Sequence, residues 1–136
     1  MRICSKNEYL LLLNFLSKFC NKVKIIETED SIFLANIFDL SSGEDWTRKF
    51  PGQGKGNQFK VLEYPMSKKL ISEFEKYGYF FEIDDGESDL GMAFYKDEKL
   101  VFWIVFHEEL CILEDEYIKE YQIYLSKNSI TRKKQP

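Results

Sequence analysis

The run Leu-Gly-Met-Ala-Phe-Tyr-Lys-Asp-Glu-Lys-Leu-Val-Phe-Trp-Ile-Val-Phe, residues 90–106, decides the fold. Its first part sets Leu90, Met92 and Phe94 at every second position, the period of a strand with one buried face. Asp97-Glu98 then supplies a turn. Leu100 to Phe106 is apolar throughout. A strand without polar alternation belongs mid-sheet with both faces covered, or else it leaves Trp103 on an exposed apolar patch.

Working outward, Tyr79 to Asp84 also alternates and reads as a strand, joined to the next by a turn over Asp85 to Asp89. Downstream, Leu110 to Leu113 adds a short strand. Glu114-Asp115-Glu116 then gives the negative first turn of a last helix, with Tyr117, Ile118, Tyr121, Tyr124 and Leu125 on its inner face. The tail from Lys127 to Pro136 reads as frayed. Upstream, Phe59 to Tyr64 predicts a strand. Pro65 and Ser67 open a helix that buries Leu70, Ile71, Phe74 and Tyr77 and stops at Gly78.

Ser41 to Asn57 holds four of the seven glycines and few aliphatics, as a long surface loop does. Val23 to Thr28 and Ser31 to Leu40 are rich in β-branched and aromatic residues and predict a hairpin turned at Glu29-Asp30. Ser5 and Glu8 match a capping box for a first helix over Lys6 to Asn21, whose stripe is Tyr9, Leu12, Leu13, Leu16, Phe19, Cys20 and Val23. The whole predicts an α+β fold: an antiparallel sheet of about five to six strands with N-terminal, central and C-terminal helices, in a single domain over residues 1–136.

The length of 136 residues and a content of 44% hydrophobic and 16% aromatic residues suit a chain that buries its own core. No apolar run reaches 18 residues, and Asn14, Ser17 and Lys18 interrupt the stretch from Tyr9 to Phe19, so no spanning helix is expected and no membrane partner. No cleavage site follows Leu10 to Leu16. Cys4, Cys20 and Cys111 are odd in number, unpaired in spacing and set among apolar residues, as in a reducing, cytoplasmic setting. Lys18 and Lys22 near Cys20 raise the alternative of a reactive thiol.

Catalytic patterns are incomplete. His107 is the single histidine, lies beside Glu108 and Glu109, and has no thiol or hydroxyl in a nucleophile motif to work with. Nothing offers the three or four ligands zinc needs, so neither metal nor cofactor is expected. Gly52-Gln-Gly54-Lys-Gly56 lacks the spacing and following helix of a phosphate loop. The Asp84 to Asp89 run lacks the alternation and distant Glu of a calcium loop. An enzyme built on paired carboxylates such as Asp89 and Glu108 with a metal from solution is the remaining catalytic reading.

Charge is the feature that departs from a bland domain. The chain nets −4, yet residues 82–116 carry twelve acidic and two basic side chains and residues 27–45 carry six acidic and no basic ones, while the other three segments are each +4. Such a block repels nucleic acid and steers basic partners. Glu82, Asp84, Asp85, Glu87 and Asp89 would form the first patch, and Glu108, Glu109, Glu114 and Asp115 would extend it. Aromatic anchors within a charged border are the composition of a binding hot spot, and Trp46 and Tyr95 are the candidates counted with the site. The structural alternative is that these carboxylates are solvated turns and helix caps, partly neutralised by Lys68, Lys69 or the basic tail.

In size, cytosolic character, lack of catalytic residues and the acidic block from Glu82 to Glu116, the chain resembles the small acidic immunity proteins of bacterial toxin systems, including contact-dependent growth inhibition. The resemblance implies a non-enzymatic inhibitor that blocks the basic cleft of a cognate toxin, a nuclease above all. The alternative from the residues themselves is an assembly module that dimerises through the Trp103 strand. Such an inhibitor requires the three acidic places, a hairpin turn, a strand exit and a helix start, to share one face.

Overall fold

The computed structural model describes residues 1–3, 6–54, 58–84 and 90–133. Among them the order is α1 (Tyr9–Phe19), β1 (Lys22–Ile26), α2 (Ile32–Asn36), β2 (Gly43–Thr47), β3 (Phe59–Pro65), α3 (Lys68–Glu75), β4 (Gly91–Lys96), β5 (Lys99–Val105), β6 (Leu110–Leu113) and α4 (Ile118–Lys133). The fold is α+β. The six strands form one antiparallel sheet in the order β2-β3-β1-β4-β5-β6.

The run at residues 90–106 behaves as its pattern requires. Met92 and Phe94 are buried on one face, and the turn at Asp97 adopts a left-handed backbone with φ 56°. β5 lies between β4 and β6. Phe102 and Ile104 join the main core beneath the helices, while Trp103 packs half-buried on the opposite face.

Among the described residues no helix covers that opposite face. Instead the chain after β2 folds back, and Phe50 packs with Ile26, Val61 and Ala93 in a small second core. Gly52 makes this possible. Its φ is +78°, and a Cβ there would lie 2.6 Å from the Trp103 ring and closer still to a Val105 methyl, so only glycine fits so near the strand.

Three expectations are corrected. First, β1 is not half of a hairpin with Ser31 to Leu40. Ser31 accepts a hydrogen bond from the Leu34 N–H as an N-cap, and α2 buries Phe33, Leu34 and, just after it, Ile37, a helical spacing that outweighs β propensity. β1 therefore sits mid-sheet between β3 and β4. Second, Tyr79 to Asp84 contains no strand. Phe80–Glu82 is a 3₁₀ turn that seats Phe80 in the core, 4.9 Å from the Tyr9 ring. Third, Ser41 to Asn57 is not loop throughout, since Gly43–Thr47 is edge strand β2.

The helices follow the expected faces. Tyr9, Leu12, Leu13, Phe15 and Leu16 of α1 and Leu70 and Phe74 of α3 are buried, and the Tyr9 hydroxyl donates to the Phe74 carbonyl at 2.7 Å. Ser67 caps α3 by accepting from the Leu70 N–H. The start of the first helix is a 3₁₀ turn over Lys6–Glu8; Ser5 of the expected capping box lies outside the described residues. α4 runs antiparallel to α1, with Tyr117 on Phe19 and Tyr121 on Phe15, and continues to Lys133, past the expected fraying point.

Both borders of the sheet carry extra contacts. Beyond β6, Arg2 bridges to Ile112, and Met1 and Leu113 exchange backbone hydrogen bonds. At β2, the Asp45 carboxylate accepts the Trp46 N–H at 2.8 Å. No helix among the described residues is long and apolar enough to cross a membrane.

Candidate functional site

The register of the sheet fixes where each carboxylate goes. Val61 faces Ile26, Ile25 faces Met92, Gly91 faces Val105 and Val105 faces Leu110, so these residues form one row across the sheet. The chain leaves or joins that row at three acidic places. Glu27, Glu29 and Asp30 follow β1; Asp84 leads toward β4; Glu108 and Glu109 turn between β5 and β6. The 3₁₀ turn that carries Glu82 is tied to the β5–β6 turn, because Phe81 and Phe106 meet edge to face at 5.7 Å, while the Glu82 carboxylate itself lies against Gly78. At about 4.8 Å per strand, this rim is on the order of 15 Å wide from β1 to β6.

Of the residues expected in the site, the structure thus brings Glu82, Asp84, Glu108 and Glu109 to one end of the sheet. Asp85, Glu87 and Asp89 lie outside the described residues. Glu114 and Asp115 go elsewhere, so the helix start does not share a face with the strand exit as expected. They follow β6 at the other end, where the Met1 ammonium lies 3.5 Å from Asp115 and Lys99 lies 3.7 Å from neighbouring Glu116. Tyr95 also belongs to that other end, half-buried, with the Lys24 and Lys22 ammoniums 5.0 and 5.9 Å from its ring centre. Burial raises its hydroxyl pKa above the ordinary range.

Trp46 sits on the helix-side surface of β2, opposite Lys60, and is 57% exposed. It borders a cleft of about 480 Å³ whose other walls include Ile26, Phe59, Glu27, Glu29 and Lys60. The cleft opens at the β1 and β3 end of the rim. Lys60 reaches Glu27 at 3.0 Å and Glu44 at 3.2 Å, and these two hydrogen bonds raise its pKa.

Glu27, Glu29 and Asp30 were missed as site residues because a hairpin reading puts Glu27 in a strand and hides Glu29 and Asp30 in a two-residue turn. The signal was present: residues 27–45 contain no Lys or Arg. Lys68 and Lys69, considered as neutralising partners, begin α3 after β3 has run to the other end, and so do not reach the rim.

The remaining chemistry is quiet. Cys20 is buried, which pushes its thiol up to about 12 against a lowering influence from Lys96, so the nearby lysines do not make a thiolate. Cys111 is buried in the core and His107 is exposed, 3.8 Å from Glu108. Among the described residues no group of three His, Cys, Asp or Glu is placed to hold a metal. Gly52 of the glycine-rich run serves packing against β5. Two larger hollows along α1 and α3, of about 830 and 590 Å³, share Ile71 and Glu75 and hold no convergent polar set.

No family model, curated protein or solved structure matches this chain. Its functional reading rests on its own geometry. What that geometry offers is a row of carboxylates from separate loops, with an exposed indole at one end.

Proposed function

We propose that the chain is a non-enzymatic inhibitor, an immunity-type protein that binds the basic substrate cleft of a toxin domain, foremost a nuclease, and blocks it. The observation that carries this reading is the gathering of three acidic stretches, after β1, at the 3₁₀ turn of Glu82 and between β5 and β6, toward one end of the sheet. Sequence alone puts no Lys or Arg between residues 77 and 95 or between 100 and 118, so two of the three loops bring no basic side chain of their own.

Backbone conformation supports the same reading. Glu109 has φ 47° and ψ 49°. A non-glycine residue in that region costs about 1–2 kcal/mol, and a glycine would close the β5–β6 turn more cheaply. A glutamate standing there in place of a glycine fits a surface used for its charge.

A partner with a basic cleft would be drawn in by the summed field before contact, and the rim would then exclude substrate from the cleft by volume and by like charge. Stopped-flow association with a strongly basic nuclease domain, measured at rising salt, tests this. The rate constant is expected to fall at least tenfold between about 10 and 200 mM salt, as the Debye length shortens from about 30 Å to under 10 Å. A salt-independent rate would refute it.

A further inference from the structure

The cleft beside Trp46 has features the rim's charge alone does not require. It is lined by an indole more than half exposed, by Ile26 and Phe59, and by the carboxylate-bearing residues Glu27 and Glu29. One cation of the protein already occupies part of it. The Lys60 ammonium is shared by Glu27 and Glu44, at 3.0 and 3.2 Å, which shows that this wall holds a positive group at hydrogen-bond distance. Glu29 lines the same cleft. The segment that supplies Glu27, Glu29 and Glu44 holds six acidic residues and no basic one, and carries Ile32 and Phe38 at 75% and 76% exposure.

We propose that this cleft is an arginine slot: it receives one arginine side chain of a basic protein partner, the guanidinium stacked on Trp46 and paired with Glu27 and Glu29. The inference rests on the reading of the rim as a docking surface and names its anchor. Charge complementarity selects a cation, and the indole selects between the two kinds. A guanidinium is flat, weakly hydrated and able to pair with a carboxylate by two parallel hydrogen bonds while its face lies on a ring; an ammonium is compact and strongly hydrated. Trp and Arg are also the residues that most often anchor interfaces. Lys60 then acts as the resident competitor, holding Glu27 until a partner's arginine takes its place.

The test uses the full chain with octa-arginine and octa-lysine peptides as probes, by calorimetry at low salt. Octa-arginine is expected to bind about fivefold or more tighter than octa-lysine, and Trp46→Ala is expected to weaken octa-arginine by about tenfold and octa-lysine by less. Trp46→Phe should recover part of the loss. Lys60→Met should tighten octa-arginine severalfold, a gain that a purely structural role for the lysine does not produce. In a Trp103→Phe background, Trp46 emission should change saturably with octa-arginine.

Equal affinity of Trp46→Ala and the parent chain for octa-arginine would overturn the slot, as would a Lys60→Met variant that binds no tighter. The rim reading fails separately. If Glu108→Gln with Glu109→Gln leaves the affinity for both peptides and its salt dependence unchanged, the rim is not the attracting surface, whatever Trp46 does.

Discussion

The two ends of the sheet are built from the same kinds of residue and behave differently. At the end where β4 turns into β5, carboxylates are matched one by one. Lys22 contacts Glu98 at 2.7 Å and Glu63 at 3.8 Å, Lys99 approaches Glu116, and the N-terminal ammonium approaches Asp115. At the other end Glu29, Asp30, Glu82, Asp84, Glu108 and Glu109 gather from three loops, with Lys60 drawn to Glu27 at one side. A count along the chain places all of these carboxylates but Glu63 in acidic segments. Only the strand order separates the two groups.

The comparison breaks most violently if the rim loses its support. Gly52→Ala combines a positive φ with overlap onto Trp103 and Val105, and is expected to destabilise the fold by about 3 kcal/mol in urea unfolding. Hydrogen exchange should rise first at the rim ends of β4 and β5, where the loop after β2 rests. Protection lost evenly over the sheet would contradict that order.

Next in size is a charge exchange between the ends. Glu82, Glu108 and Glu109 changed together to Gln should slow association with a basic nuclease domain at low salt by about ten- to a hundredfold. Glu98→Gln, Asp115→Asn and Glu116→Gln together should alter the rate by about twofold at most, since each of those charges lies beside a cation. Equal effects from the two sets would erase the distinction between the ends.

Glu109→Gly sharpens the contrast within one residue. It should raise stability by up to about 1 kcal/mol, by relieving the left-handed backbone, while slowing association severalfold. A loss in thermal stability would show that the glutamate is there for packing.

The smallest effect concerns acid titration of the balanced end. Its hydrogen bond and ion pair with Lys22 hold the Glu98 carboxyl below its ordinary value of 4.5. A depressed folded pKa means that this pair stabilises the fold fully above about pH 4.5 and ceases to do so as pH falls through the lower folded value. Glu98 is highly exposed and screened by solvent, so the change belongs in a carboxyl NMR titration rather than a melting curve. A midpoint at or above the ordinary value would remove the pair from the account of that end.

How far these features were legible in the sequence depends on how local their causes are. The β4–β5 hairpin, α3 with its Ser67 cap, and β6 were read correctly because pattern and turn lie within a few residues of each other, whereas α3 ends at Glu75, before the expected stop at Gly78. The place of β1 was not readable, because its partners β3 and β4 begin 33 and 65 residues after it ends. Ile32-Phe33-Leu34 favours a strand by composition, and only the Ser31 cap and the Phe33, Leu34 and Ile37 spacing betray the helix. Likewise Tyr79 to Ile83 is rich enough in aromatics to alternate by chance, while its real constraint is Phe80 wedged against Tyr9 and Phe102. The acidic segments were evident. Which of them meet follows from the strand order, and so Glu114 and Asp115 were grouped with a surface they do not reach.

The hydrogen bond from the Trp46 N–H to the Asp45 side chain has a consequence for life at high concentration. An outermost strand is a docking strip for any extended peptide, including another copy's, and proteins that must stay dispersed obstruct it. Here the strand's own aspartate occupies a donor beside the exposed indole, with two negative charges on the same short strand, while residues 1–3 lie along the opposite border. The ring can thus be displayed to a partner's side chain while the backbone beneath it discourages strand-by-strand growth into aggregates.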